Sequence, residues 1–240
     1  MAGCTSNAKK YEKDFAAIQA ETEAIFADQS LTEAEMEERY YALMEKAYKN
    51  HPSDSIGLSA FVALARDNWD FDKAQKEYAS ASSLVKESKR AQSIIDAREK
   101  EQATLPGGKY IDIEGPDAIT GEKISLSGLL PSDKPLVIDF WASWCPPCRR
   151  EIQYNLVSFA KTGKAVIVGV AVWEKKLEDT QKAMEELGIT WPVIYAGGRE
   201  NSPAEKYGVT GIPTMLLVAP DGTILARSHS FDDLEAVLNK

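Results

Sequence analysis

The strongest constraint on the fold is a short segment in which an apolar run is followed by two closely spaced cysteines. Residues 136–141 read Leu-Val-Ile-Asp-Phe-Trp, and such a nearly continuous apolar run is typical of a strand buried on both faces. Cys145 and Cys148 follow, separated by Pro146 and Pro147. Because proline is well tolerated in the first turn of a helix, the segment predicts a strand, a short loop and a helix that begins just after Cys145.

This placement predicts that Cys145 is a reactive thiolate. The unpaired N–H groups and the dipole at the start of a helix favour negative charge, so we expect the pKa of this thiol to lie below that of a free cysteine. Cys148 follows three residues later, on the same side of the helix and within disulfide reach. We therefore expect Cys145 to attack a disulfide and Cys148 to resolve the mixed disulfide. Pro146 and Pro147 remove hydrogen-bond donors and stiffen the loop.

A boundary divides the chain at Leu105-Pro106-Gly107-Gly108, because proline and glycine interrupt regular elements. Before it, apolar residues recur at helical spacing, including one long predicted helix after Asp70. After it, short β-rich runs alternate with helical ones, which predicts a mixed central sheet flanked by helices. The predicted organisation is an N-terminal tether over 1–7, a helical domain over 8–104 and an α/β domain over 105–240.

Within the α/β region the pattern predicts individual elements around the strand at 136–141. They are a hairpin of 109–113 with 123–126, strands at 165–172 and 191–195, helices at 146–161, 177–187 and 231–238, and a second hairpin of 214–218 with 223–227.

The segment from Val137 to Cys148 resembles the active-site strand and helix of thioredoxins, and most closely those of extracytoplasmic thioredoxin-like reductases of the TlpA/ResA type. The resemblance covers about residues 107–240. It includes Gly128-Leu129-Leu130 before the active-site strand and Gly211-Ile212-Pro213-Thr214 before the second hairpin. It implies a thioredoxin-like α/β fold in the AhpC/TSA–thioredoxin superfamily, preceded here by an all-α region, and a thiol–disulfide oxidoreductase activity.

The resemblance implies that three further residues lie on the substrate side of the site. Pro213 matches the cis-proline that lies against the cysteine pair and presents backbone to the substrate chain. Ile212 and Trp144 are expected to contact the substrate beside it. The alternative for Pro213 is an ordinary trans proline in a turn, since only about 5–6% of X–Pro bonds in folded proteins are cis.

Two acids acquire roles from the same resemblance. Asp139 matches the buried acid beneath the active site, where burial would raise its pKa and suit it to proton transfer with Cys148. The alternative is an acid that caps the edge of the strand. Glu151 matches an acid near the pair in the TlpA/ResA branch, and its alternative is a solvated helix residue.

Gln153 departs from the family pattern. The family usually has proline five residues after the second cysteine, which kinks the helix, and this chain has Gln153 there. We expect the fold to survive, with a straighter helix and an altered rim of the site.

Composition excludes several other classes of protein. The formal net charge of −9 disfavours nucleic acid or an anionic membrane surface as a partner. Three cysteines are too few for a disulfide scaffold. Zinc needs four ligands, and Cys4, His51 and His229 are not paired at ligand spacing. No glycine-rich phosphate loop is present, so we expect no cofactor beyond the Cys145–Cys148 disulfide, with electrons arriving by thiol exchange from another protein.

The N-terminal sequence predicts where in the cell the protein lies. Met1-Ala2-Gly3-Cys4 resembles the end of a bacterial lipoprotein signal, where a small pair precedes an acylated cysteine, although no apolar run precedes it. No apolar stretch of about 18 residues could form a transmembrane helix. We therefore expect an extracytoplasmic protein of the periplasm or cell envelope, with a lipid anchor at Cys4. An ordinary N-terminal cysteine is the alternative.

Three functions fit the sequence to different degrees. The leading hypothesis is an enzyme that reduces protein disulfides, because Ile212 before Pro213 is the residue found in reducing thioredoxins. A second is a docking module, in which the helical domain recruits a client and redox activity is secondary. A third is a peroxidase of the thioredoxin superfamily. Such enzymes carry Thr-x-x-Cys where this chain has Ala142, which disfavours that reading.

Overall fold

The computed structural model describes residues 2–200 and 202–239, with side chains described from residue 8 onward. The chain forms two compact units, Met1–Arg98 and Glu99–Lys240. The first is helical, and the second combines a central sheet with flanking helices. The predicted all-α region followed by an α/β region is confirmed. In the described part, no helix is both long enough and apolar enough to cross a membrane.

The N-terminal elements are all helices. They are α1 (Ala2–Ala27), α2 (Glu33–Asn50), α3 (Ser55–Asp67), α4 (Phe71–Ser80), α5 (Ser83–Lys86) and α6 (Lys89–Ala103). Residues 1–7, predicted as a tether, overlap the start of α1, and the tether stays a prediction. Helix α2 begins with a capping box, in which Thr32 accepts from the backbone N–H of Glu35 and the Glu35 carboxylate accepts from that of Thr32. The buried core of this unit is centred on α3.

The long helix predicted after Asp70 is wrong. Ala81 and Ser82 have extended backbone conformations, which end α4 and separate it from α5. A second break separates α5 from α6. Ala74, Val85 and Ala91 are each fully buried, so each of the three short helices contributes to the same apolar core.

In its described residues, the second unit contains two sheets. The strands are β1 (Glu114–Pro116), β2 (Lys123–Ser125), β3 (Leu136–Trp141), β4 (Val166–Ala171), β5 (Val193–Tyr195), β6 (Thr214–Val218) and β7 (Ile224–Ser228). Strands β1 and β2 form an antiparallel pair, and the main sheet has the order β5-β4-β3-β6-β7. Strand β3 runs parallel to β4 and antiparallel to β6. The sheet is therefore mixed, with β3 at its centre.

Successive side chains of β3 point to opposite faces of the sheet. All six of its residues are buried. Val137 and Trp141 belong to the apolar cluster that contains Cys145 and Cys148, and the alternate residues belong to the cluster on the other face. Asp139 lies between Val137 and Trp141 on the same face as them, so this single acid points toward the cysteine-bearing side.

The helices of this unit flank the main sheet. They are α7 (Leu126–Leu129), α8 (Pro146–Glu151), α9 (Val157–Ala160), α10 (Leu177–Leu187) and α11 (Phe231–Leu238), with a 3₁₀ helix at Pro203–Tyr207. A π-helical turn at Ile152–Leu156 joins α8 to α9. This turn contains Gln153, and the straighter helix expected from the loss of proline stays a prediction. Pro and π-turns are both recognised sources of helix bending.

Candidate active site

The cysteine pair lies where β3 leads into α8. Cys145 is the N-cap residue of α8, and Pro146 and Pro147 occupy the first helical positions. The Sγ atoms of Cys145 and Cys148 are bonded at 2.09 Å, and the backbone N–H of Cys148 points at Sγ of Cys145 from 3.2 Å. Because the first N–H groups of a helix lack partners within it, this sulfur lies where they can stabilise a negative charge.

The loop before β6 reaches the same sulfur. The Ile212–Pro213 peptide bond is cis, and the carbonyl oxygen of Ile212 lies 3.6 Å from Sγ of Cys145. Pro213 is buried and Ile212 is half-buried. The Nδ1 of His229 lies 2.6 Å from the carbonyl oxygen of Pro213, and a carbonyl only accepts, so Nδ1 carries the proton and donates it. The structure thus brings Ile212 and Pro213 to Cys145.

Asp139 is a buried acid with an incomplete set of partners. Its side chain is 2% exposed, and its Oδ2 atom has no hydrogen-bond partner within the described part of the chain. Burial, with a smaller contribution from the charge of Glu151, raises the pKa of Asp139 from 3.8 to about 8. At neutral pH this carboxyl therefore retains its proton and faces the cysteine-bearing core as an acid.

Glu151 ends α8 and is half-buried. Its Oε2 atom accepts from Nδ2 of Asn155 at 2.8 Å and from the backbone N–H of Phe231 at 3.3 Å. The carboxylate therefore connects α8 to the start of α11 and also acts on Asp139 through its charge. This arrangement differs from that of a solvated helix residue.

Trp144 is half exposed beside the pair, at 50% of its surface. Its Nε1 donates to the carbonyl oxygen of Trp173 at 3.1 Å, which orients the indole along the loop after β4. A surface cavity of about 670 Å³ opens here, and Trp144, Trp173 and Arg149 contribute to its lining. Trp144 and this cavity thus lie next to the loop that leads into Cys145.

Glu174 is a site residue that the sequence analysis did not identify. It is 3% exposed, and its carboxylate accepts from both the backbone N–H and the hydroxyl of Ser143, two residues before Cys145. One available signal is that Glu174 follows the apolar run of β4, which is parallel to β3. Residues at the carboxyl ends of neighbouring parallel strands lie at the same edge of a sheet, where ligands commonly bind.

The remaining predictions concern metal binding, a cofactor and the acylation of Cys4. In the described residues, no group of three His, Cys, Asp or Glu side chains could hold a metal ion. The absence of a cofactor other than the disulfide stays a prediction. Cys4 lies in α1, but its side chain is outside the described part, so its acylation also stays a prediction.

Comparison with known proteins gives a family match and several similar proteins. Residues 106–227 match the AhpC/TSA family. The thiol-disulfide oxidoreductase ResA of Bacillus subtilis (strain 168) is 32% identical over 127 residues, which cover 49% of this chain and 68% of ResA. The thiol:disulfide interchange protein HelX of Rhodobacter capsulatus is 34% identical over 98 residues, covering 41% of this chain and 53% of HelX.

Solved structures are also similar to part of the chain. The thioredoxin domain of a thiol-disulfide oxidoreductase from Bacteroides vulgatus has 29% sequence identity and a TM-score of 0.49, covering 56% of this chain and 96% of that one. The chain spans between about half and two thirds of the curated relatives it matches. The family match covers half of the chain. The chain therefore belongs to the AhpC/TSA family, and within it to the thiol–disulfide oxidoreductases.

Proposed function

We propose that this chain reduces disulfides of proteins outside the cytoplasm, by dithiol–disulfide exchange through Cys145 and Cys148. The observation that carries the proposal is the position of Sγ of Cys145, at the first turn of α8 and 3.6 Å from the carbonyl oxygen of Ile212. The helix terminus favours the thiolate, and we expect the backbone of a substrate chain to pass beside this carbonyl.

The reaction consists of two successive thiol–disulfide exchanges. The thiolate of Cys145 attacks one sulfur of the substrate disulfide, and the other substrate sulfur leaves as a thiolate and takes a proton. Cys148 then loses its proton and attacks Sγ of Cys145, which forms the Cys145–Cys148 disulfide and releases the second substrate thiol. The substrate gains two electrons, and the cysteine pair loses two.

Asp139 is suited to the proton transfers of Cys148. With a pKa of about 8, its carboxyl holds a proton at neutral pH and can still release it. When a donor protein reduces the disulfide, Cys148 leaves as a thiolate and Asp139 can supply its proton. In the forward direction, ionised Asp139 can accept the proton of Cys148, directly or through water.

The substrate surface is expected to consist of Trp144, Ile212 and Pro213. The indole of Trp144 is half exposed, and the carbonyl oxygen of Ile212 lies 3.6 Å from Sγ of Cys145. An extended segment that carries the substrate cysteine could donate a backbone N–H to this loop, as in the pairing of an added strand.

The direction of exchange and the location belong to the same proposal. Ile212 before Pro213 favours reduction, and the curated relatives carry the names thiol-disulfide oxidoreductase and thiol:disulfide interchange protein. A thiol protein would return electrons to the disulfide, and a lipid on Cys4 would keep the enzyme at the membrane. A reduction potential of about −270 mV would suit a reductant, and one of about −120 mV would suit an oxidant.

Insulin reduction tests the function. With dithiothreitol as the electron donor, the wild-type chain should accelerate the precipitation of insulin, and Cys145→Ser should abolish this acceleration. Reduced Cys148→Ser, freed of dithiothreitol, should accumulate a mixed disulfide with insulin at Cys145, detectable by mass spectrometry. Cys4→Ser is the matched control and should keep the wild-type rate. An undiminished rate in Cys145→Ser would contradict the proposal.

A further inference from the structure

Ser143, two residues before Cys145, has all of its polar groups engaged by other parts of the fold. Its backbone N–H donates to Oε1 of Glu174 at 2.5 Å, and its hydroxyl donates to Oε2 of Glu174 at 2.8 Å. Its carbonyl oxygen accepts from Nη1 of Arg149 at 3.3 Å. The loop that leads into Cys145 is thus fixed from the β4 side and from α8.

The segment that carries Glu174 is itself held in place. The backbone of Glu174 donates to the carbonyl oxygen of Gly197 at 2.9 Å. Trp173 has a φ of 59°, in the left-handed region that non-glycine residues rarely adopt, and its ring lies 4.3 Å from the guanidinium carbon of Arg199. Its carbonyl oxygen accepts from Nε1 of Trp144. Residues 173 and 174 therefore hold both residues that precede Cys145.

We infer that Glu174 is a positioning residue for Cys145. The inference rests on the proposed function, since it assigns to Glu174 the task of keeping the nucleophilic sulfur at the first turn of α8. Glu174 is 3% exposed, yet both of its oxygens are bonded to Ser143. A buried carboxylate is costly unless it is well hydrogen-bonded, and here the bonds fix the approach to Cys145.

Positioning and simple charge have opposite effects on Cys145. If Glu174 aligns the sulfur with the helix terminus, its loss disfavours the thiolate and raises the pKa of Cys145. If Glu174 acts only as a nearby negative charge, its loss favours the thiolate and lowers that pKa. The other charged or titratable side chains on the elements around Cys145 include Asp139 on β3, Cys148, Arg149 and Glu151 on α8, and His229, which bonds the Pro213 carbonyl. The variants below leave them unchanged.

Two substitutions separate these effects. In Glu174→Gln, the amide oxygen can accept from the Ser143 N–H and the amide nitrogen can donate to the Ser143 hydroxyl oxygen, so the geometry survives without the charge. Glu174→Ala removes both the geometry and the charge. Glu178→Ala is the matched control, because it removes an exposed carboxylate from the first turn of α10.

The measurement is the pH dependence of iodoacetamide alkylation of the fully reduced chain, with the rate of reaction with oxidised glutathione as a second readout. We expect the alkylation midpoint of Cys145 to be higher in Glu174→Ala than in Glu174→Gln, and the glutathione reaction to be about tenfold slower. Glu174→Gln should react within about twofold of the wild type. Equal midpoints in the two variants, or a lower one in Glu174→Ala, would overturn the inference.

Ser143 provides a second test if Glu174→Ala does not fold. Ser143→Ala removes only the hydrogen bond of the hydroxyl and should raise the alkylation midpoint of Cys145 by a smaller amount. Ser143→Thr keeps a hydroxyl and should keep the wild-type midpoint. A wild-type midpoint in Ser143→Ala would overturn the inference. Insulin reduction by the wild-type chain is measured in parallel. Its absence would contradict the proposed function, while the alkylation pattern decides the role of Glu174 independently.

Discussion

Asp139 and Glu151 are two acids associated with the same cysteine-bearing core, but their hydrogen bonding differs. Oε2 of Glu151 accepts from Asn155 and from the backbone of Phe231, whereas Oδ2 of Asp139 has no partner in the described structure. Burial and the charge of Glu151 together raise the pKa of Asp139 to about 8. Asp139 therefore retains its proton at neutral pH, and a carboxyl kept protonated by its surroundings is a recurring feature of acid–base sites.

Asp139→Asn should remove a pH-dependent part of the stability. In the unfolded chain this carboxyl titrates near 3.8, and in the folded chain it titrates near 8. The folded state therefore binds the proton more tightly, so this contribution is fully present below about pH 4 and is lost as the pH rises to about 8. Across that window its contribution falls by up to about 1.4 kcal/mol per pH unit.

Chemical denaturation of the oxidised wild type and of Asp139→Asn at several pH values measures this contribution. The variant should gain stability relative to the wild type as the pH rises toward 8. A difference that stays constant between pH 4.5 and pH 8 would show that Asp139 does not titrate as described.

Glu151→Gln should lower the pKa of Asp139 but leave it above the usual value for an aspartate. The substitution removes the like charge, but burial is the larger cause and remains. The titration of the Asp139 carboxyl carbon by NMR reports the change directly. Glu185→Gln, at an exposed position on α10, serves as the control and should leave the titration unchanged. An unaltered midpoint in Glu151→Gln would refute the coupling between the two acids.

Gly169→Ala should destabilise the second unit by about 1–3 kcal/mol. A Cβ atom on Gly169 would lie 2.9 Å from Nε1 of Trp141 and 3.0 Å from Cγ2 of Val193, and both of these side chains are fully buried. At Gly211 a Cβ would meet no atom within 4 Å, so Gly211→Ala should change the free energy of unfolding little. Equal denaturation midpoints for the two variants would contradict this explanation.

A chain that begins at Glu99 should retain the activity of the cysteine pair toward insulin. The contacts described above for Cys145 all come from the second compact unit, Glu99–Lys240. The insulin assay on the full and shortened chains therefore tests the alternative in which the helical domain recruits a client. A large loss of insulin reduction by a shortened chain that still unfolds cooperatively would favour that alternative.

The parts of the fold that follow from local sequence patterns were predicted well. Strand β3 has the predicted limits, 136–141, and α10 and α11 match the predicted 177–187 and 231–238. Continuous apolar runs and amphipathic spacing specify such elements because burial acts on them directly. The cysteine pair is equally local, since its chemistry depends on a strand end and on the first turn of the next helix.

The parts that were missed depend on contacts between distant residues. The first hairpin pairs Glu114–Pro116 with Lys123–Ser125, whereas the predicted strand 109–113 instead lies near residues 222–223, where the Tyr110 N–H donates to the Gly222 carbonyl. Glu174 accepts a hydrogen bond from Ser143, which lies 31 positions earlier in the chain, so no local sequence pattern identifies the pair. Such contacts arise only once the sheet has brought the segments together.

The alkylation of the reduced chain by iodoacetamide tests the central claim most directly. Mass spectrometry of the cysteine-bearing peptides distinguishes Cys145 from Cys148. The account predicts that Cys145 reacts at pH values where a free cysteine is still protonated, and that Cys148, which lies inside α8 and not at its N-cap, reacts more slowly. If both thiols instead showed the pH dependence of free cysteine, the start of α8 would not stabilise a thiolate and the proposed chemistry would lose its basis.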